Sequence, residues 1–152
     1  MLKFLILLHV LSAIIGVGPT FFAHVLTRKK QTAEQLRHSL KMAGHLELFP
    51  KIGGSIAVIT GLILYFAGEY GAFTQVWILG SLILYVIIQI IVIGFITPQS
   101  NKLKDWLHAP ENAAVTGALS EEAQGFLNKM NGYFYLASAL GVTLFIFMIL
   151  KP

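Results

Sequence analysis

The sequence predicts an all-α, transmembrane antiparallel four-helix bundle with both termini outside. Three observations carry that prediction. Hydrophobic residues make up 56% of the chain and charged residues only 12%, with a mean hydropathy of +0.74; a small water-surrounded core could not hide so much apolar surface. The apolar residues gather in four stretches, about 2–26, 48–68, 75–97 and 131–150, each roughly 30 Å or more as helix, which matches bilayer hydrocarbon. The basic residues gather between them, and the chain reads as a single integral membrane domain over 1–152.

The first stretch has Lys3 ahead of its apolar run, as a signal peptide would. It continues well past a normal h-region, however, and Pro19 follows the only small-residue site, Gly16-Val17-Gly18, a poor context for cleavage. A retained helix is expected. Ala33 to Phe49 holds good helix formers and ends at Pro50, so it is predicted to extend the second span into the headgroup region with a kink. Glu47 and Lys51 stand one turn apart there and can pair. Gly68-Glu69-Tyr70-Gly71 supplies a tight turn into the third span. Pro110 to Leu119 is small and polar and is expected to be a mobile loop. Ser120 followed by Glu121 and Glu122 reads as an N-cap with an acidic first turn, so the fourth helix starts there and enters the membrane near Met130.

Close helix approach in lipid needs small residues four apart. Ser12-Gly16-Thr20, Gly53-Ala57-Gly61 and Ala137-Gly141 form such ridges, and a ridge left unused would let the bundle form a homo-oligomer. Nine of the eleven basic residues flank the connectors, and only Lys3 and Lys151 fall at the other end. The positive-inside rule then places loops 27–47 and 98–130 in the cytoplasm of a cell (plasma) membrane. The lipid bilayer is therefore the expected partner, and the net charge of +4 is no nucleic-acid signal. The absence of cysteine excludes disulfides, thiolate metal sites, iron–sulfur clusters and cysteine nucleophiles. No phosphate-binding glycine loop, nucleophile elbow or HExxH motif occurs, and no acidic residue lies inside a span, against a proton-coupled carrier.

The chemistry therefore rests on polar residues within the spans. His9 lies roughly 10 Å in from the outer boundary, near the depth of Thr60, Gly61, Ser81 and Thr143. Either it shares hydrogen bonds with those hydroxyls, or it ligates haem b or a metal ion, for which imidazole is the usual intramembrane donor. His24 is about 22 Å further along the same helix and cannot share that ligand; with His45 it could form a second, inner pair, or both could be interfacial side chains. His38 and His45 are too far apart to chelate. Pro19 frees the carbonyl of Ile15, to which Gln89 at similar depth could donate; the kink and the amide could also line a small cavity.

The run from His9 to Gly18, the Thr60-Gly61 pair in an apolar second span, and Trp77 opening the third resemble a bacterial family of small four-span proteins catalogued as domain of unknown function 2269. That likeness covers most of the chain and brings no activity with it. The His9 segment is also similar to the HemJ-type protoporphyrinogen oxidases and to the copper-resistance D membrane domain, which place a histidine early in the first span. The first of these resemblances implies His9 as an axial haem ligand. The oxidases usually add a tryptophan before the glycines and an arginine late in the helix; here those stretches read Ile15-Gly16-Val17 and Phe21 to Leu26, so substrate oxidation does not carry over. The leading expectation is a small membrane protein binding haem or a metal through His9, with a redox or accessory role. The alternative is a non-enzymatic transport or scaffold component whose histidines are structural.

Overall fold

The computed structural model describes all of residues 1–152. Helices α1 (Leu2–Leu26), α2 (Ala33–Leu46), α3 (Leu48–Ala67), α4 (Val76–Ile90), α5 (Thr97–His108) and α6 (Glu121–Leu150) follow in order, with a π-helical step over Ile91–Ile96 joining α4 to α5. Four helical stretches, Leu2–Leu26, Ala33–Ala67, Val76–His108 and Glu121–Leu150, are long and apolar enough to cross a membrane. Only 17% to 22% of the most apolar part of each is buried in protein, so lipid must cover the remainder. The predicted all-α, four-span architecture is the one observed.

Within the membrane, α3 packs on α1, α1 on α6 and α6 on α4. The predicted ridges make these contacts: Ser12, Gly16 and Thr20 are buried on α1, Gly53 and Ala57 on α3, and Ala137 and Gly141 on α6. A Cβ on Gly16 would fall 2.6 Å from the Gly54 nitrogen, and one on Gly53 would fall 2.7 Å from the Gly16 nitrogen. Backbone therefore lies directly on backbone, a separation only glycine permits. Tyr85 brings α4 to α3, its hydroxyl seated 2.9 Å from where a Cβ on Gly54 would stand.

At one end Gly71 takes φ +82° in the turn between α3 and α4. The Lys151 ammonium reaches over that turn, 5.0 Å from the Trp77 ring centre and 5.8 Å from that of Tyr70. Both termini share this end, and the two long connectors share the other.

The connector end departs from the sequence-based expectation in three ways. First, α2 extends the second span with a break at Glu47, as expected, but it is also packed: Ala33, Leu36 and Leu40 are buried in one apolar cluster with Leu103 and Leu107 of α5 and Ala123, Leu127 and Met130 of α6. A cap closes the bundle there, its apolar residues continuous with Ile88, Ile91, Ile96, Ala137 and Leu144 of the spans. A capping box at Thr32 and Gln35 starts α2. It stops at Leu46 because Pro50, in the first turn of α3, offers no N–H to the Leu46 carbonyl. Second, the segment from Pro110 to Leu119, expected to be mobile, is tied down. The Arg37 guanidinium donates to the carbonyls of Val115 and Asn112 at 2.7 Å each and of Leu107 at 3.4 Å, while the Ala33 N–H bonds the Gly117 carbonyl. Third, the helix of the third span does not end at Thr97. Pro98 cannot donate to the carbonyl of Gly94; the chain widens into the π step, the Thr97 N–H and hydroxyl both reach the Val92 carbonyl, and the helix resumes as α5. Ser120 caps α6 as expected, accepting from the Ala123 N–H, and the Glu47–Lys51 pair forms at 3.4 Å.

Candidate functional site

His9 stands at the α1–α3 seam, one turn before the ridge that locks the two helices. Its Nδ1 lies 2.8 Å from the Ala57 carbonyl oxygen and 3.2 Å from Thr60 Oγ1. A carbonyl can only accept, so Nδ1 carries the proton. The Thr60 hydroxyl spends its own hydrogen on Ile56, 2.7 Å away, and is left as a second acceptor for the same N–H. The neutral imidazole then bears its lone pair on Nε2, which bonds to nothing in the chain and is not enclosed by it. Gly61 makes room for the ring: a Cβ there would stand 3.0 Å from His9 Cε1. One helix supplies the imidazole, and little more than one turn of the other, Ala57 to Gly61, supplies its acceptor, its hydroxyl and its space.

Of the residues that depth matching placed near His9, Thr60 and Gly61 are brought to it. Ser81 donates to Trp77 and Thr143 to Ala139, each within its own helix. Gln89 lies in a lipid-facing groove of α4 with Val86, Ile90, Ile93 and Gly94. The expected bond from Gln89 to Ile15 is not formed, because α4 packs on α6 rather than on α1. Beyond Pro19, α1 instead receives donors from α6, Ser138 to the Thr20 carbonyl at 3.2 Å and Asn131 to the His24 carbonyl at 3.1 Å. His24 faces α6, its ring 4.7 Å from that of Tyr135 and its Nδ1 buried without a partner. His45 is exposed at the end of α2.

Two structural polar residues escaped the sequence reading. Asn131 is almost wholly buried at the α1–α6 crossing, and Arg37 braces the cap. Their signals were an amide at the mouth of a span and an arginine on the apolar-striped part of a connector.

A family model described as predicted integral membrane protein (DUF2269) matches residues 3–152. The chain belongs to this family. The match runs through the cap as well as the spans, so in this DUF2269 protein the cap falls within the matched length and is not an appended domain. No curated protein and no solved structure matches the chain.

Proposed function

We propose that this integral membrane protein binds haem b through His9 Nε2, in a redox or accessory role. The observation that supports the reading is the fixed imidazole: Nδ1–H is held by Ala57, the arrangement in which a histidine offers Nε2 to a metal with its orientation and basicity already set. The donor set fits an axial ligand better than a bare ion. No three His, Asp or Glu side chains converge anywhere in the chain, so a closed four-coordinate site lacks ligands, whereas haem needs only one or two from the protein. Haem held there would supply one-electron exchange within the bilayer. The residues of the chain do the rest: His9 binds, Ala57 and Thr60 orient it, and Gly61 leaves the ring its place.

The test is optical. Protein purified from haem-replete membranes should show a Soret band that His9→Ala abolishes while the helical content stays unchanged. Colourless wild-type protein would overturn the reading. It would favour the second one, a scaffold in which His9 serves only as a bridge between α1 and α3, a role supported by the same pair of hydrogen bonds.

The connectors are placed in the cytoplasm of the plasma membrane on the basic-residue count alone. The chain has no cysteine of its own, so introduced ones report cleanly. An impermeant thiol reagent on intact cells should label Glu69→Cys and spare Lys30→Cys; the reverse pattern would invert the topology.

A further inference from the structure

We propose that the cleft between α2 and α5, at the connector end, binds a phosphate group, carried by an anionic lipid headgroup or by a soluble phosphate ester. The cleft holds about 460 Å³, the size of a small-molecule site. Arg37 and Lys41 line it from α2, and Lys104 and His108 line it from α5. Each pair is spaced i, i+4, which puts both members on one face of their helix. The two faces look at one another across a single cleft, which brings the three permanent cations Arg37, Lys41 and Lys104 to it. No carboxylate lines it, and the only ion pair in the protein, Glu47 with Lys51, lies elsewhere.

The Arg37 guanidinium is fixed by three backbone carbonyls. These take up three of its five N–H donors without neutralising it, so a full positive charge is held at the cleft. His108 Nδ1 lies 2.6 Å from the Lys104 carbonyl, which orients its ring. Lys41 and Lys104 are left with ammonium groups and no anionic partner in the chain. The floor is apolar, made by Leu40 and Leu107, both buried. A ring of cations above an apolar floor suits a charged group carrying a small organic part. Three permanent cations suit the several oxygens and higher charge of a phosphate better than a single carboxylate.

The position narrows the source. The α2 wall ends within one helical turn of the start of α3 at Leu48, so a lipid headgroup is within reach, and the open mouth equally admits a free ester.

The experiment uses the full chain in neutral detergent. Native mass spectrometry reads retention of phosphatidylglycerol against phosphatidylcholine, and calorimetry reads glycerol 3-phosphate. One of the two phosphate probes should bind one per chain, and the double variant K41Q/K104Q should weaken it by at least about tenfold, the scale of one charge-assisted contact. K29Q/K30Q removes the same charge from an exposed stretch at the same end and should leave binding unchanged. Retention of phosphatidylglycerol alone assigns the lipid headgroup; binding of glycerol 3-phosphate assigns the soluble ester. Binding of neither, or an equal loss in K29Q/K30Q, overturns the proposal. Should the double variant unfold, Lys41→Gln alone, at an exposed position, is read against the same control.

Discussion

Replacing Gly16 by alanine tests the seam that positions His9. The new Cβ would stand 2.6 Å from the Gly54 nitrogen and 2.8 Å from the Gly53 carbonyl carbon. Both are backbone atoms, which no rotamer change can move. Reaching ordinary contact near 3.4 Å requires α1 and α3 to part by about 0.8 Å. The His9–Ala57 hydrogen bond, now 2.8 Å, would then stretch to about 3.6 Å, past the useful limit. Overpacking of this kind costs about 1–3 kcal/mol, and the lost bridge adds about 0.5–1.5 kcal/mol. A destabilisation of about 2–4 kcal/mol is expected, measured by reversible unfolding in mixed micelles followed by circular dichroism. Gly132→Ala is the control: no atom lies within 4 Å of its added Cβ, so it should be neutral or stabilise α6 by up to about 1 kcal/mol. Wild-type stability in Gly16→Ala would refute the backbone contact and with it the placement of His9.

Arg37→Ala should lose about 2–3 kcal/mol and expose residues 109–119 to protease. Arg37→Lys should not restore protection, because an ammonium cannot reproduce a fork spanning separate carbonyls. Asn131→Leu should cost about 1–2 kcal/mol in the same unfolding assay, since it removes the donor to the His24 carbonyl; an unaltered midpoint would show that the amide does not bridge α1 and α6. Thr60→Val keeps the shape and removes one of two acceptors for Nδ1, so it should cost less than about 1 kcal/mol and retain any Soret band that His9→Ala abolishes; loss of the band would make the hydroxyl, not Ala57, the orienting group.

The membrane part of the fold was legible because hydrocarbon punishes exposed polarity and rewards small contact residues. The four apolar runs, the glycine ridges and the level of His9 with Thr60 all follow from that. Depth, however, is only one coordinate. It put Gln89 level with Ile15 but said nothing about which helices are neighbours, and α4 packs on α6 rather than on α1. The Ala57 carbonyl, the strongest partner of His9, left no trace in the sequence because every residue has a carbonyl. The cap did leave one: Leu36 with Leu40 and Leu103 with Leu107 are i, i+4 pairs, the apolar stripe of a helix that buries one face. Between clusters of lysine, those short stripes were outweighed by the charge.

The most direct measurement is the nitrogen-15 spectrum of the His9 ring, in haem-free protein reconstituted in lipid with the other four histidines replaced. A protonated Nδ1 and an unprotonated Nε2 are expected, with the Nδ1 proton lost from its hydrogen-bonded position when α1 and α3 are forced apart by Gly16→Ala. A proton on Nε2 would mean that Ala57 does not hold the ring, and that His9 has no free lone pair with which to bind anything.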